Sequence, residues 1–159
     1  MGPERRRPPF KGYGVPEGDE GMLPWSWATE RLERARNYWV STSRPDGRPH
    51  AMPVWGIWLD DAFFFGSGRE SAKSRNLAAN PAIVVHLESG DETVILEGVA
   101  EPVLDHALEK RVDAAYGPKY GFSPDSSGET DPWLVVRPKR AYAWTERSYP
   151  SSATQFDFE

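Results

Sequence analysis

The apolar positions fall in short runs broken by glycine, proline, aspartate or serine. Residues 38–43 (YWVSTS) are β-branched or aromatic, as a strand requires, and Pro45-Asp46-Gly47 turns the chain back. Across 49–59 (PHAMPVWGIWL), His50, Met52, Val54 and Gly56 alternate with Ala51, Pro53, Trp55 and Ile57, which predicts a second strand. Asp60-Asp61 reverses the chain into 62–65, and the three strands predict an antiparallel meander. Pro53 has no N–H for a ladder, so it belongs at an edge, a bulge or a break facing a ligand. Further strands are predicted at 82–87 (AIVVHL) and 93–103 (TVILEGVAEPV), with Gly98 a bulge or corner. Two more, 133–137 and 141–145, are separated by Pro138.

Helical spacing occupies three stretches. Residues 24–37 (PWSWATERLERARN) set Trp27, Leu32 and Ala35 along one side, with Ser26 as a cap. A short helix opens near Ser71 and ends at Asn80-Pro81. Residues 105–116 (DHALEKRVDAAY) start on Asp105 and carry Leu108, Val112 and Ala115 on one face. At least six closely spaced strands with two or three helices predict a mainly β fold with flanking helices, an antiparallel barrel closed or partly closed. No repeat or second domain interrupts 24–159. Residues 1–23, rich in proline, glycine and charge, predict a poorly ordered or surface-draped arm. Residues 117–132 predict a loop, and Phe156 and Phe158 a tail docked on the body or on a second subunit.

Composition narrows the class. A chain of 159 residues, 38% hydrophobic and 27% charged, suits one soluble domain with a real core. Aromatics reach 13% with seven Trp, enough for some rings to line a ligand pocket. A net charge of −5 argues against a general nucleic-acid binder. Without cysteine there is no disulfide framework and no thiolate metal site. His50, His86 and His106 lie too far apart in sequence for metal-ligand spacing. No run has the length of a membrane span, and Arg5-Arg6-Arg7 leads into Pro8-Pro9, not into a signal peptide. The expectation is a cytoplasmic protein with no nucleic-acid or membrane partner.

The chemistry concentrates in 63–81, FFFGSGRESAKSRNLAANP. Three phenylalanines stop at Gly66-Ser67-Gly68, and the following helix start carries Ser67, Arg69, Ser71, Lys73 and Arg75. Free N–H groups at a helix N-terminus favour an anion, and basic side chains add a second attraction. The stretch therefore predicts a seat for a phosphate or similar group. It nearly spells the dinucleotide fingerprint G-x-G-x-x-G, with Glu88 about twenty residues on. Its third glycine is Ser71, however, and a meander precedes it where a doubly wound sheet needs βαβ units. No Ser-His-Asp set, H-E-x-x-H or carboxylate pair is present, so no catalytic residue and no metal set is assigned.

The order of these pieces resembles the split-barrel flavin and deazaflavin oxidoreductases related to pyridoxamine 5′-phosphate oxidase. The resemblance rests on a helix, then TSRPDGRPH (42–50), a strand-turn-strand into FFFGSG, S-x-K-x-R-N-L-x-x-N-P (71–81), and a strand ending EGVAE (97–101). It implies a homodimer of split barrels with a cofactor groove at each end of the interface. It places the cofactor phosphate on Ser67, Ser71, Lys73, Arg75 and Asn76, and the ring along Met52, Pro53, Val54 and Trp55; Arg69 is either a contact to the cofactor tail or a surface loop residue. Where the pyridoxamine oxidase branch has an Arg and a Lys for the FMN phosphate, this chain has Met52 and about Ile57. The K-x-R-N-L spelling at 73–77 is closer to the branch using the deazaflavin F420. F420 or FMN is the cofactor implied, and the activity implied is hydride transfer to or from a small conjugated substrate. A non-catalytic carrier of flavin, deazaflavin or haem on the same barrel is the alternative. Trp55 and Trp58 are expected in core, interface or pocket wall, and His50 as a structural group or a proton donor. Tyr116 and Tyr120 are expected to pack the second long helix or to close over the groove.

Overall fold

The computed structural model describes residues 2–122 and 131–159. Among these residues nine strands are joined by antiparallel pairing: β1 (Glu4–Arg6), β2 (Tyr38–Ser43), β3 (Pro49–Val54), β4 (Ile57–Leu59), β5 (Ala62–Phe65), β6 (Ala82–Leu87), β7 (Glu92–Pro102), β8 (Leu134–Thr145) and β9 (Thr154–Asp157). Three helices flank them, α1 (Trp25–Arg34), α2 (Ala72–Ala79) and α3 (His106–Tyr120). Pairing runs β3-β2-β6-β7-β8-β5-β4, and β3 leads directly into β4 through Trp55-Gly56. The circuit therefore closes into a split antiparallel barrel. One edge of β8 serves two neighbours, β5 at residues 134–136 and β9 at 140–143.

The second predicted strand is thus two strands with a break, and Gly56 makes the break necessary. A Cβ there would lie 2.3 Å from Phe63 Cε1 and 2.8 Å from Phe64 O. Pro53 of β3 pairs with Trp39 of β2, the one sheet partner of β3 among the described residues, and an edge tolerates the missing donor. The two predicted C-terminal strands are instead one. Pro138 sits opposite Gly98, where the β7–β8 register shifts, and the bulge accommodates the absent N–H.

The helix ends also depart from expectation. Pro24, not Ser26, stands at the N-cap of α1, with no side-chain cap. The third helix continues through Pro118 to Tyr120, because hydrogen bonds from Lys119 and Tyr120 to the barrel hold its last turn. The loop expected at 117–132 therefore begins as helix, and its middle lies outside the described residues.

Two apolar layers share the strands. Inside the barrel, Tyr38, Val40, Phe63, Phe65, Val85, Leu96 and Val136 pack under Ala28 and Leu32 of α1. Outside, Phe64, Val135 and Trp133 pack against Val112 and Tyr120 of α3. Covering β5 on both faces explains why all three phenylalanines of its run are buried. The arm, expected to be poorly ordered or draped over the surface, is laid on the body, with β1 paired to β9. Arg7 reinforces it, donating at 2.7 Å each to the carbonyls of Gly18, Glu20 and Ser151. The tail docks on the same body, where Phe156 is fully buried and both Phe156 and Phe158 pack on Trp25 at 5.0 Å.

Candidate functional site

The break between β3 and β4 is held by the end of α3. Gly56 N–H donates to Tyr120 Oη at 3.0 Å, and Lys119 Nζ donates to Gly56 O at 3.0 Å and to Tyr38 Oη at 2.7 Å. The Tyr120 hydroxyl has one proton, and its shorter contact, 2.7 Å, gives that proton to Arg36 O. Partial burial without a counter-charge pulls the Lys119 ammonium down to about 8. Burial pushes the Tyr38, Tyr116 and Tyr120 hydroxyls up. One residue before the clamp, Trp55 stacks on Tyr120 at 4.5 Å with 10° between the planes, and the Arg36 guanidinium lies 5.1 Å over its ring.

Trp55 is thereby fixed as one wall of a cavity of about 490 Å³. Val54 continues that wall, and the Gly66-Ser67-Gly68 turn forms a second. Glu109, Asp113 and Tyr116 of α3 form the third, and Asp131 and Trp133 complete the lining. The rings adjoin, with Tyr116 5.2 Å from Trp133, whose indole N–H donates to Asp113 Oδ1 at 2.7 Å. The cavity thus joins an aromatic surface to a polar glycine-serine turn.

Behind that turn, the hydroxyls of Ser67, Ser71 and Ser74 form a cluster with separations of 2.7–3.2 Å. Ser71 caps α2 by accepting from Ser74 N–H at 3.2 Å. The hydroxyl network therefore ties the cavity turn to the helix start. Arg69 is committed to Asp131, through its Nε at 3.1 Å and its backbone N–H at 2.8 Å. Lys73 is half-buried and Arg75 exposed, and among the described residues neither forms an ion pair.

The ten residues singled out in the sequence are therefore divided. Val54, Trp55 and Ser67 meet in the cavity, with Ser71 next to Ser67. Arg75 and Asn76 contribute instead to a separate groove of about 390 Å³ with Arg44 and Arg48. The Asn76 side chain is buried and donates to Thr42 Oγ1 at 3.0 Å, bracing α2 on β2. Met52 and Pro53 lie exposed on the β3 edge. Trp58 belongs to the core, and Tyr116, not Tyr120, lines the cavity. His50 is half-buried, with Nδ1 lacking a hydrogen-bond partner among the described residues. The sequence reading missed Glu109, Asp113, Asp131 and Trp133. The four-residue spacing of Glu109 and Asp113 puts both on one side of a helix, the signal available for them. Asp131 and Trp133 reach the cavity only through tertiary folding.

Among the described residues no group of three or more acidic or histidine side chains is placed to hold a metal ion. No helix among them is long and apolar enough to cross a membrane.

Known proteins resemble this chain in sequence and in fold. Over 125 residues, 76% of this chain, the sequence is 30% identical to a pyridoxine/pyridoxamine 5′-phosphate oxidase of Bradyrhizobium sp. (strain ORS 278). It spans about half, 48%, of that relative's length. The fold is similar to that of a conserved hypothetical protein from Mycobacterium tuberculosis, with a TM-score of 0.68 and 23% identity over 79% of this chain and 87% of that one. It is similar also to an F420 reductase, with a TM-score of 0.58 and 24% identity over 70% of this chain and 93% of that one. At such identities these two likenesses speak for the fold alone. Sequence carries the assignment further, because the pattern of the pyridoxamine 5′-phosphate oxidase family matches residues 28–145. With the barrel and the matched sequence in agreement, the chain belongs to the pyridoxamine 5′-phosphate oxidase family.

Proposed function

We propose that the protein is an oxidoreductase that uses a flavin-type cofactor, the deazaflavin F420 in preference to FMN, on a small conjugated substrate. The observation that carries this reading is the cavity, which brings Val54 and Trp55 of β3 against the Gly66-Ser67-Gly68 turn. The residues present fit such a group. Trp55 and Tyr116 offer rings for a planar system, and the turn leads through Ser67 and Ser71 to the start of α2. Lys73, near the start of α2 and free of ion pairs among the described residues, is the cation available to a phosphate, whereas Arg75 lines the separate groove. Arg69 is less available because Asp131 already neutralises it.

When bound, the cofactor supplies the hydride chemistry. The chain binds and orients it, with Trp55 held in place by Tyr120 and the Gly56 clamp, and the aromatic walls exclude water. Exposed Met52 and buried Ile57 leave β3–β4 without the paired basic groups that an FMN phosphate would use there. That favours F420 over FMN. We also propose a homodimer formed along β3. Among the described residues that strand has one sheet neighbour and is largely exposed along its length, a condition single chains seldom leave uncovered.

Titration of the protein with F420 and with FMN, followed by fluorescence quenching, tests the reading. F420 is expected to bind well below millimolar and more tightly than FMN. Failure of both to bind below about millimolar, some 4 kcal/mol of binding free energy, ends the proposal. Turnover of reduced F420 with quinone or enone acceptors then separates an enzyme from a carrier.

A further inference from the structure

The cavity has a second chemical character that a phosphate seat does not explain. Opposite the Gly66-Ser67-Gly68 turn, two carboxylates one helical turn apart, Glu109 and Asp113, line it beside the rings of Trp55, Tyr116 and Trp133. Asp113 is preorganised by the Trp133 indole N–H at 2.7 Å, a neutral donor that leaves its charge uncompensated. Among the described residues Glu109 has one ion-pair partner, the exposed His106 at 3.6 Å. The third carboxylate, Asp131, differs because Arg69 pairs with it. Aromatic faces attract a cation through their negative π-surface, and a partly desolvated carboxylate adds direct charge attraction.

We infer that the α3 side of this cavity selects a planar conjugated substrate carrying a cationic nitrogen, held between the aromatic rings with its charge toward Glu109 and Asp113. The inference deepens the proposed function, since it names the substrate class for the same cavity. Its physical content does not need the cofactor: the rings supply stacking for any flat ligand, and the two carboxylates supply the preference among flat ligands. An anionic substrate of the same shape is repelled by those groups. The anionic part of a cofactor is directed away from them, toward the helix start bearing Ser71 and Lys73.

Three bicyclic probes of matched shape test this: N-methylquinolinium (cationic), 1-methylnaphthalene (neutral) and 1-naphthoate (anionic). Each is titrated into the full chain while tryptophan fluorescence is followed. The cation is expected to bind about tenfold more tightly than the neutral probe, and the anion more weakly than either. In Glu109→Gln/Asp113→Asn, which keeps side-chain shape and an acceptor for the Trp133 N–H, the preference for the cation should fall to about twofold or less. Circular dichroism confirms that the variant is folded, and Asp113→Asn alone serves if the double variant is not. Equal binding of cation and neutral probe by the parent, or an unchanged ratio in the folded variant, overturns the inference. Titration of the parent with F420 and FMN judges the cofactor reading separately. A cation preference without cofactor binding leaves this inference standing and removes that reading, and cofactor binding without the preference does the reverse.

Discussion

Replacing Gly56 by alanine tests how the barrel break shapes the cavity. The added Cβ would stand 2.3 and 2.4 Å from two Phe63 ring carbons and 2.8 Å from Phe64 O. Ordinary carbon contacts need about 3.5–4.0 Å, so the ring must retreat by over ~1 Å. It has nowhere to go, being fully buried between Tyr38 at 4.6 Å and Phe65 at 5.6 Å. The alternative is for residue 56 to move. That breaks the Gly56 bonds to Tyr120 and Lys119, each worth about 1 kcal/mol, and displaces Trp55 from Tyr120. Overpacking adds about 1–3 kcal/mol, for a total of about 3–5 kcal/mol. At a slope near 2 kcal/mol/M, the urea midpoint should fall by about 2 M. Gly68→Ala is the control, because its Cβ meets nothing within 4 Å and its φ is not positive. It should stay within about 0.5 kcal/mol of the parent. A Gly56→Ala protein less than about 1 kcal/mol from the parent would refute the clamp as described.

Two further perturbations separate bracing from binding. Asn76→Ala removes a buried amide bonded to Thr42 and should cost about 2 kcal/mol in urea unfolding, whereas a merely solvent-facing residue would change little. Lys119→Met should change the pH dependence of stability. The Lys119 ammonium titrates near 10.5 when unfolded and is lowered to about 8 when folded, so between these values the unfolded chain holds the extra proton. The parent should therefore gain stability as pH rises from about 8 toward 10, and the variant should lack that gain in urea midpoints at pH 7, 8, 9 and 10. Parallel pH profiles would show that the lysine is not desolvated as described.

Local chemistry made much of the fold legible. β2 and β6 lie where their β-branched runs end, and the Asp105 cap, the Gly98 bulge and the edge position of Pro53 follow from what each residue can and cannot hydrogen-bond. What escaped depends on contacts distant in sequence. The break at Trp55-Gly56 is imposed by Phe63, and the last turn of α3 survives Pro118 because Lys119 and Tyr120 find partners on β2 and at Gly56. The site divides in the same way. The glycine-serine turn announces itself, while the α3 carboxylates and Trp133 become neighbours of Trp55 only after folding. Asn76 and Arg75 border one groove, yet Asn76 is buried and bonded to Thr42 while Arg75 is exposed, which a motif read along the chain does not distinguish.

On the proposed reading, a flavin-type cofactor binds here with its phosphate held near the start of α2. Its most direct test is the F420 dissociation constant of the parent beside that of Lys73→Ala, measured by fluorescence quenching at one fixed salt concentration. The variant should bind about tenfold more weakly, the loss of roughly 1.4 kcal/mol from one charge-assisted contact. Equal affinities in parent and variant would contradict the anion seat, however tightly F420 bound.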